Sequence, residues 1–247
     1  MKSNDIPKIV HQIWIGEKMP DYLKLYTNDW EEMRGWDYKL WGNADMKKEN
    51  FPKTWFLIKE ILELEKPVYA MISDLMRLEI LYTHGGVYLD TTFEKVKNIT
   101  KLLDKKGYEF VVSNEISDPN LDLDYMSNSF IASVPHHIVL KRLLSPRYLY
   151  NIDINNEANE ETGPFYLRTG IQNKKEINLI PTELIYPYSI LDWYDNVTSP
   201  CISYSKKKGF KKYKFRKGSL YIKYPCKHYP DAFMIKQWNL GGTWLKQ

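Results

Sequence analysis

The chain has 247 residues, 43% of them hydrophobic and 15% aromatic, with a formal net charge of +4. That length supplies one large core, read here as a single domain over 1–247, and the small charge argues against a surface built as a whole for polyanions. No run of about 18 apolar residues occurs, which argues against a membrane-spanning helix, and the opening MKSNDIPKIVHQIW lacks the apolar core of a secretory signal, so a soluble cytoplasmic protein is expected.

In chain order, Pro7 opens a turn and the apolar run Ile9, Val10, Ile13, Trp14 and Ile15 predicts a central strand with Gly16 at its exit. A strand, loop and helix in this order begin a βα unit, whose ligand is expected over the strand's carboxyl end. No glycine-rich phosphate motif follows, which argues against a dinucleotide-binding Rossmann site or a P-loop. His11 and Gln12 are read as structural. Tyr22, Leu23, Tyr26, Trp30 and Met33 recur at helical spacing within 20–34. WDYKLW (36–41) alternates as a strand, and 52–65 reads as a second helix through Trp55, Ile58, Ile61, Leu62 and Leu64. Pro67 is placed in the first turn of a third helix. This alternation argues for an α/β fold with a mainly parallel central sheet flanked by helices.

The third helix is apolar nearly all round, through Met71, Ile72, Leu75, Met76, Leu78, Ile80 and Leu81, which marks it as buried. Asp74 and Arg77 nevertheless share one of its faces. Buried charges pair with each other or bind something, so the two form either an internal ion pair or a grip on a ligand. Gly85 and Gly86 end the helix, Val87 to Leu89 form a short buried strand, and Asp90 stands at its end. Read as an extended segment, Asp90, Thr92 and Glu94 point the same way, two carboxylates and a hydroxyl on one side.

Further strands are predicted at 108–114 and 127–134, joined by a loop whose Asp122 and Asp124 are read as solvated. His136 and His137 cap the helix that follows. The segment 151–161 is read as a flexible acidic loop. In the turn Thr162-Gly163-Pro164, glycine and proline are taken to supply backbone geometry rather than side-chain chemistry. INLIPTELI (177–185) reads as a strand and 186–200 as an aromatic loop. The stretch 206–217, KKKGFKKYKFRK, holds eight basic residues in twelve, interleaved with Phe210, Tyr213 and Phe215. It reads as a lysine-protected edge hairpin, or as a peripheral contact with an anionic membrane or a phosphorylated acceptor; no nucleic-acid-binding fold accompanies it. Cys201 and Cys226, the two cysteines, lack metal-ligand spacing and are expected reduced, with a bridge as the alternative. The sequons at Asn98 and Asn196 carry no weight in a cytoplasmic chain.

Ser73, Asp74, Arg77, Gly85, Gly86, Tyr88 and Asp90 together resemble the signature of glycosyltransferase family 32, S-D-x-x-R followed by G-G-x-Y-x-D-x-D. The opening I-P-K-I-x-H-x-I-W, the turn at 162–164 and the closing Thr243-Trp244 resemble other parts of that family, and the likeness extends from residue 6 to residue 244. The resemblance implies a GT-A-like fold. It also implies transfer of a sugar from a UDP- or GDP-linked donor to a glycan, glycolipid or protein acceptor, with retention of configuration and with Mn2+ or Mg2+, as in polysaccharide biosynthesis. It carries catalytic roles to Asp74, Arg77, Asp90 and Asn128, and donor contacts to Ile13, Trp14, Tyr88, Thr92, Thr243 and Trp244. Asp90, Thr92, Glu94 and Asn239 are the implied metal ligands. Two positions depart from the pattern: Thr92 stands where the family has its second aspartate, and Lys236 where a histidine is common. Because of Thr92, either Glu94 supplies the missing carboxylate, or the metal binds more weakly with Asp90 dominant, or catalysis is lost and the protein binds nucleotide-sugars or glycans without turning them over.

Overall fold

The computed structural model describes residues 5–116, 126–188, 229 and 231–238. The elements up to the sheet's centre are β1 (Ile9–Ile13), α1 (Asp21–Glu31), β2 (Asp37–Trp41), α2 (Trp55–Leu62), α3 (Tyr69–His84), β3 (Gly86–Leu89) and β4 (Phe93–Lys95). There follow α4 (Thr100–Leu103), β5 (Phe110–Ser113), β6 (Phe130–Ser133), α5 (Ile138–Leu143), α6 (Pro146–Leu149), α7 (Ala158–Glu161), α8 (Pro164–Thr169), β7 (Asn178–Ile180), α9 (Thr182–Ile185) and β8 (Met234–Lys236). Asp122, Asp124, Asn196, Cys201, Cys226, the basic stretch 206–217, Asn239, Thr243 and Trp244 lie outside the described residues.

A six-stranded sheet runs in the order β2-β1-β3-β6-β5-β7, and β4 pairs with β8 in a separate antiparallel ribbon. Within the large sheet only β6 is reversed; β1 is parallel to β2 and β3, and β5 to β7. This mainly parallel sheet with flanking helices is the expected GT-A-like α/β architecture. Strand residues alternate between the two faces, as the two-residue period requires. Val10, Val87, Leu89, Val111, Phe130 and Ala132 join Trp30, Met33 and Ile99 on one side. Ile13, Tyr88, Phe110, Val112 and Ile131 join the α2, α3 and α5 side chains on the other. With both faces covered, the inner strands are buried and largely apolar, with His11 and Gln12 on β1 and Ser113 and Ser133 at the ends of β5 and β6 as the buried polar exceptions.

The Gly85-Gly86 pair shows why the signature turn takes glycine. Both residues have positive φ, +65° and +91°. A Cβ on Gly86 would lie 2.6 Å from the Ile9 carbonyl oxygen, and one on Gly85 would lie 2.7 Å from Pro135 Cδ. The bare backbone lets α3 reverse into β3 directly against β1.

Three local expectations change. Pro67 precedes α3 rather than lying in its first turn, because the helix begins at Tyr69. The acidic segment is not wholly loop: Ala158 is buried and starts α7. The strand expected over 177–185 stops at Ile180 because Pro181, which has no N–H to extend a ladder, instead becomes the N-cap of α9.

Candidate active site

From β1 the chain runs to β2 on one side and later to β3 on the other, so a crevice opens outside the carboxyl ends of β1 and β3. Asp90 lies there, just past β3. Its backbone is fixed from two strands: its N–H donates to the Ser129 carbonyl at 3.0 Å, and its carbonyl accepts from Gln12 Nε2 at 3.1 Å. Tyr38 holds Gln12 in turn, its hydroxyl donating to Oε1 at 2.9 Å. Gln12 is therefore structural, but its work is to position Asp90.

The Asp90 carboxylate is 27% exposed. Its Oδ1 accepts from the Tyr88 hydroxyl at 2.9 Å and lies 3.7 Å from Arg77 Nη2. Its Oδ2 is in direct contact with Lys236 Nζ. Burial alone would raise this carboxyl's pKa; the Lys236 and Arg77 charges outweigh burial and hold it below its ordinary value.

Arg77 lies behind Asp90, its guanidinium carbon 4.4 Å from the Tyr88 ring centroid. Nη1 donates to the Asn128 carbonyl at 2.7 Å, and Nη2 pairs with Asp74 Oδ1 at 2.8 Å. That same Asp74 oxygen accepts from Asn128 Nδ2 at 2.8 Å, while Oδ2 accepts from Thr162 Oγ1 at 2.9 Å. Burial pushes the Asp74 carboxyl up to about 6 against the pull of Arg77, Thr162 and Asn128. Both of its oxygens are engaged and its side chain is 5% exposed. Asp74 is placed to fix Arg77, Asn128 and Thr162 to one another rather than to reach a ligand itself.

The structure thus brings Asp74, Arg77, Tyr88, Asp90 and Asn128 together. Trp14 is half-buried at the end of β1, where its indole N–H donates to the Glu17 carbonyl at 2.8 Å. Ile13 differs: its side chain is in the core with Trp41 and Phe51, which leaves only its backbone near the crevice.

The extended reading of 90–94 is corrected. Phe93 N–H bonds back to the Asp90 carbonyl at 3.1 Å, so Thr91 and Thr92 form a turn and β4 starts only at Phe93. Thr92 is buried, and its hydroxyl has no hydrogen-bond partner among the described residues. Glu94 is buried on β4 and accepts from Gln237 Nε2 at 3.0 Å. The three side chains therefore do not share one open face.

A divalent cation would meet a poor donor set here. Asp90 is already shared by two cationic groups, Thr92 offers a neutral hydroxyl, and no three His, Cys, Asp or Glu side chains converge among the described residues. Like charges about 4 Å apart near a protein surface repel by roughly 4 kcal/mol per unit pair. The described residues do not fit the manganese or magnesium that the resemblance implied.

Three participants were not assigned a place in the site from the sequence, although Lys236 was noted as a departure from the family pattern. Thr162 acts through its hydroxyl, not only through the turn it begins. Lys236 reaches Asp90 because Phe93 and Lys236 are register partners across β4 and β8. Glu115 accepts from Ser127 Oγ at 2.6 Å; Ser127 is linked to Ser129 at 2.9 Å and Ser129 to the Tyr186 hydroxyl at 2.9 Å. Burial raises the Glu115 pKa, and the charges of Lys236 and Asp90 are also felt there. The Ser-x-Ser spacing at 127 and 129 was the visible signal for that network.

A mainly parallel sheet with a supported carboxylate at its carboxyl rim defines a GT-A-like transferase scaffold. The profile described as "Glycosyltransferase sugar-binding region containing DXD motif" matches residues 12–109. The uncharacterized glycosyltransferase L373 of Acanthamoeba polyphaga mimivirus is 31% identical over 196 residues, covering 75% of this chain and 74% of that protein. Inositol phosphoceramide mannosyltransferase 1 of Schizosaccharomyces pombe is 27% identical over 139 residues, covering 53% of this chain and 40% of that one. Among solved structures, the ligand-free glycosyltransferase domain of the YGT toxin aligns with a TM-score of 0.49 at 13% identity, over 72% of this chain and 80% of that domain. The chain belongs to the DXD-motif glycosyltransferases of the family 32 type. No helix among the described residues is long and apolar enough to cross a membrane.

Proposed function

We propose that the protein transfers a sugar from a UDP- or GDP-linked donor to a glycan, lipid or protein acceptor, with retention at the anomeric carbon, in a single domain. The observation that carries this reading is the constellation around Asp90: one partly exposed carboxylate, its backbone held by Ser129 and Gln12, with two cationic groups against it. In such a transfer, the sugar–phosphate bond breaks and negative charge develops on the leaving diphosphate. Preorganised cations and N–H groups at that point lower the barrier more than any other single device. Arg77 is fixed by Asp74 and Asn128 and needs no reorganisation to act. Asn128, half-buried at the rim beside them, is the proposed sugar contact. On this reading the leaving diphosphate takes the acceptor's proton, so the rim needs no separate nucleophile–base pair.

The test is nucleoside diphosphate release from a panel of UDP- and GDP-sugars. Asp90→Asn removes the charge that seats Arg77 and Lys236 and should lower release by about a hundredfold or more, the scale of losing one preorganised electrostatic contact. Thr92 motivates a second reading, a binder without turnover. Tight nucleotide binding with equal, background-level release from wild type and Asp90→Asn would establish that reading instead.

A further inference from the structure

We propose that Lys236 takes the place of the divalent cation: its ammonium, docked on Asp90, binds the donor's diphosphate, so that donor binding needs no metal. The inference rests on the sugar-transfer reading and names how that same site handles its charge.

Four observations converge on it. Lys236 Nζ contacts Asp90 Oδ2 and so occupies one oxygen of the carboxylate that would hold a metal ion. The lysine is positioned by structure on both sides. It is the last residue of β8 and the register partner of Phe93, and its ammonium lies 5.2 Å from the Phe93 ring centroid and 5.7 Å from that of Trp238. Aromatic faces stabilise a cation without neutralising it. The lysine is buried, its side chain 10% exposed, and the Asp90 carboxylate beside it is 27% exposed, so the pair reaches the crevice through the carboxylate. Among the described residues the other implied ligands are poor: Thr92 has no carboxylate, Glu94 is tied to Gln237, and no ligand cluster forms.

The two departures from the family pattern compensate each other. Two aspartates with a divalent ion carry no net charge. Asp90 with Thr92 and a lysine ammonium carries none either. Losing one negative charge at Thr92 and replacing a double positive charge by a single one at Lys236 leaves the rim's balance unchanged. An ammonium also suits the task, because it meets phosphate oxygens as a compact point charge with three donors.

The competing account is an ion pair that only clamps β8 to the sheet. Binding of UDP and GDP to the full chain, measured calorimetrically in excess EDTA and in Mn2+, separates the two. Wild type should bind at least one of them with the same Kd, within about threefold, in both buffers. Lys236→Met should lose tenfold or more in EDTA, and Lys236→Arg should restore most of the loss. Circular dichroism identifies any variant that has not folded, and in that event the wild-type comparison decides alone. Wild-type binding seen only with Mn2+ would overturn the inference and leave the transferase reading standing. So would a folded Lys236→Met that melts earlier but binds nucleotide unchanged in EDTA. Absence of binding to either nucleotide in both buffers would sink the transferase reading itself, and this inference with it.

Discussion

Acidification should destabilise the protein through His11, whose imidazole ties β1 to the Gly85-Gly86 turn. Trp41 Nε1 donates to His11 Nδ1 at 3.3 Å, which leaves Nε2–H to donate to the Gly85 carbonyl at 3.1 Å. Only the neutral ring fits these partners; a second proton would set N–H against N–H in a buried site. Burial accordingly lowers the His11 pKa from 6.5 to about 4, with the Gly85 bond opposing and His84 adding to the shift. The folded-state value is depressed, so the unfolded chain takes up the proton first. His11's contribution is complete above pH 6.5 and is lost as the pH falls from there towards 4. At about 1.4 kcal/mol per unit, the loss is about 2 kcal/mol at pH 5 and about 3 kcal/mol once the pH is below both values. Urea unfolding of wild type and His11→Gln at pH 7.5 and 5.0 reads it directly. Glutamine keeps a donor for Gly85 and never titrates. Shifted groups that do not touch His11, such as Glu79, are common to both proteins and cancel in the double difference. Wild type should lose about 2 kcal/mol more than the variant over this interval. Equal losses would refute the tautomer argument.

Gly86→Ala must place a Cβ 2.6 Å from the Ile9 backbone at φ +91°, and strain plus overpacking should cost roughly 3 kcal/mol. For a chain of this size that is a fall in Tm of roughly 6–12 °C; a fall of under 2 °C would mean that the turn relaxes freely. Glu79, buried on α3, accepts from the Lys53 and Thr54 N–H groups at 2.9 and 3.0 Å and from Thr54 Oγ1 at 2.7 Å, and so caps α2 from outside. Glu79→Ala leaves those donors unmet and should cost about 2–4 kcal/mol in urea unfolding; a cost under about 0.5 kcal/mol, ordinary for a surface site, would remove the capping role. Thr162→Val deletes one of the bonds that satisfy Asp74 and should cost about 2 kcal/mol in the same assay, because the bond is to a charged group. An unchanged midpoint would show that Asp74 finds another donor.

What the sequence disclosed is what a short window can encode. The run from Ser73 to Asp90 carries its own periodicity, its helix stop and its strand, so the buried helix, the Gly-Gly turn and the position of Asp90 were all legible in the residues themselves. The Asp74–Arg77 pair followed from spacing alone, because residues three apart on a helix must meet. The limit appears where the local pattern is extended past a turn. Alternation through Asp90, Thr92 and Glu94 assumed continuous strand. A single backbone bond from Phe93 to Asp90 ends that assumption and buries Thr92 and Glu94 separately.

The rest was hidden because the site's supporting groups come from far along the chain. Thr162 is 88 residues from Asp74, and Lys236 is 146 from Asp90. No periodicity spans such distances, and a threonine in a turn or a lysine closing a short strand has an unremarkable local environment. Only the sheet topology pairs them with the acids they meet. This separation has a physical consequence. Half of Asp90's charge environment, the Lys236 ammonium, depends on docking of β8, and Asp74's depends in part on docking of α7 and its turn, while the backbone of Asp90 is held by Gln12 of β1, by Ser129 ahead of β6 and by the Phe93 N–H. Loosening β8 should therefore take Lys236 away from the Asp90 carboxylate and leave it with Tyr88 and Arg77, while Gln12 and Ser129 still hold its backbone. The charge that Lys236 brings to the rim and the strand that presents Asp90 come from different parts of the fold, which is what lets a lysine replace a metal ion without any change to that strand.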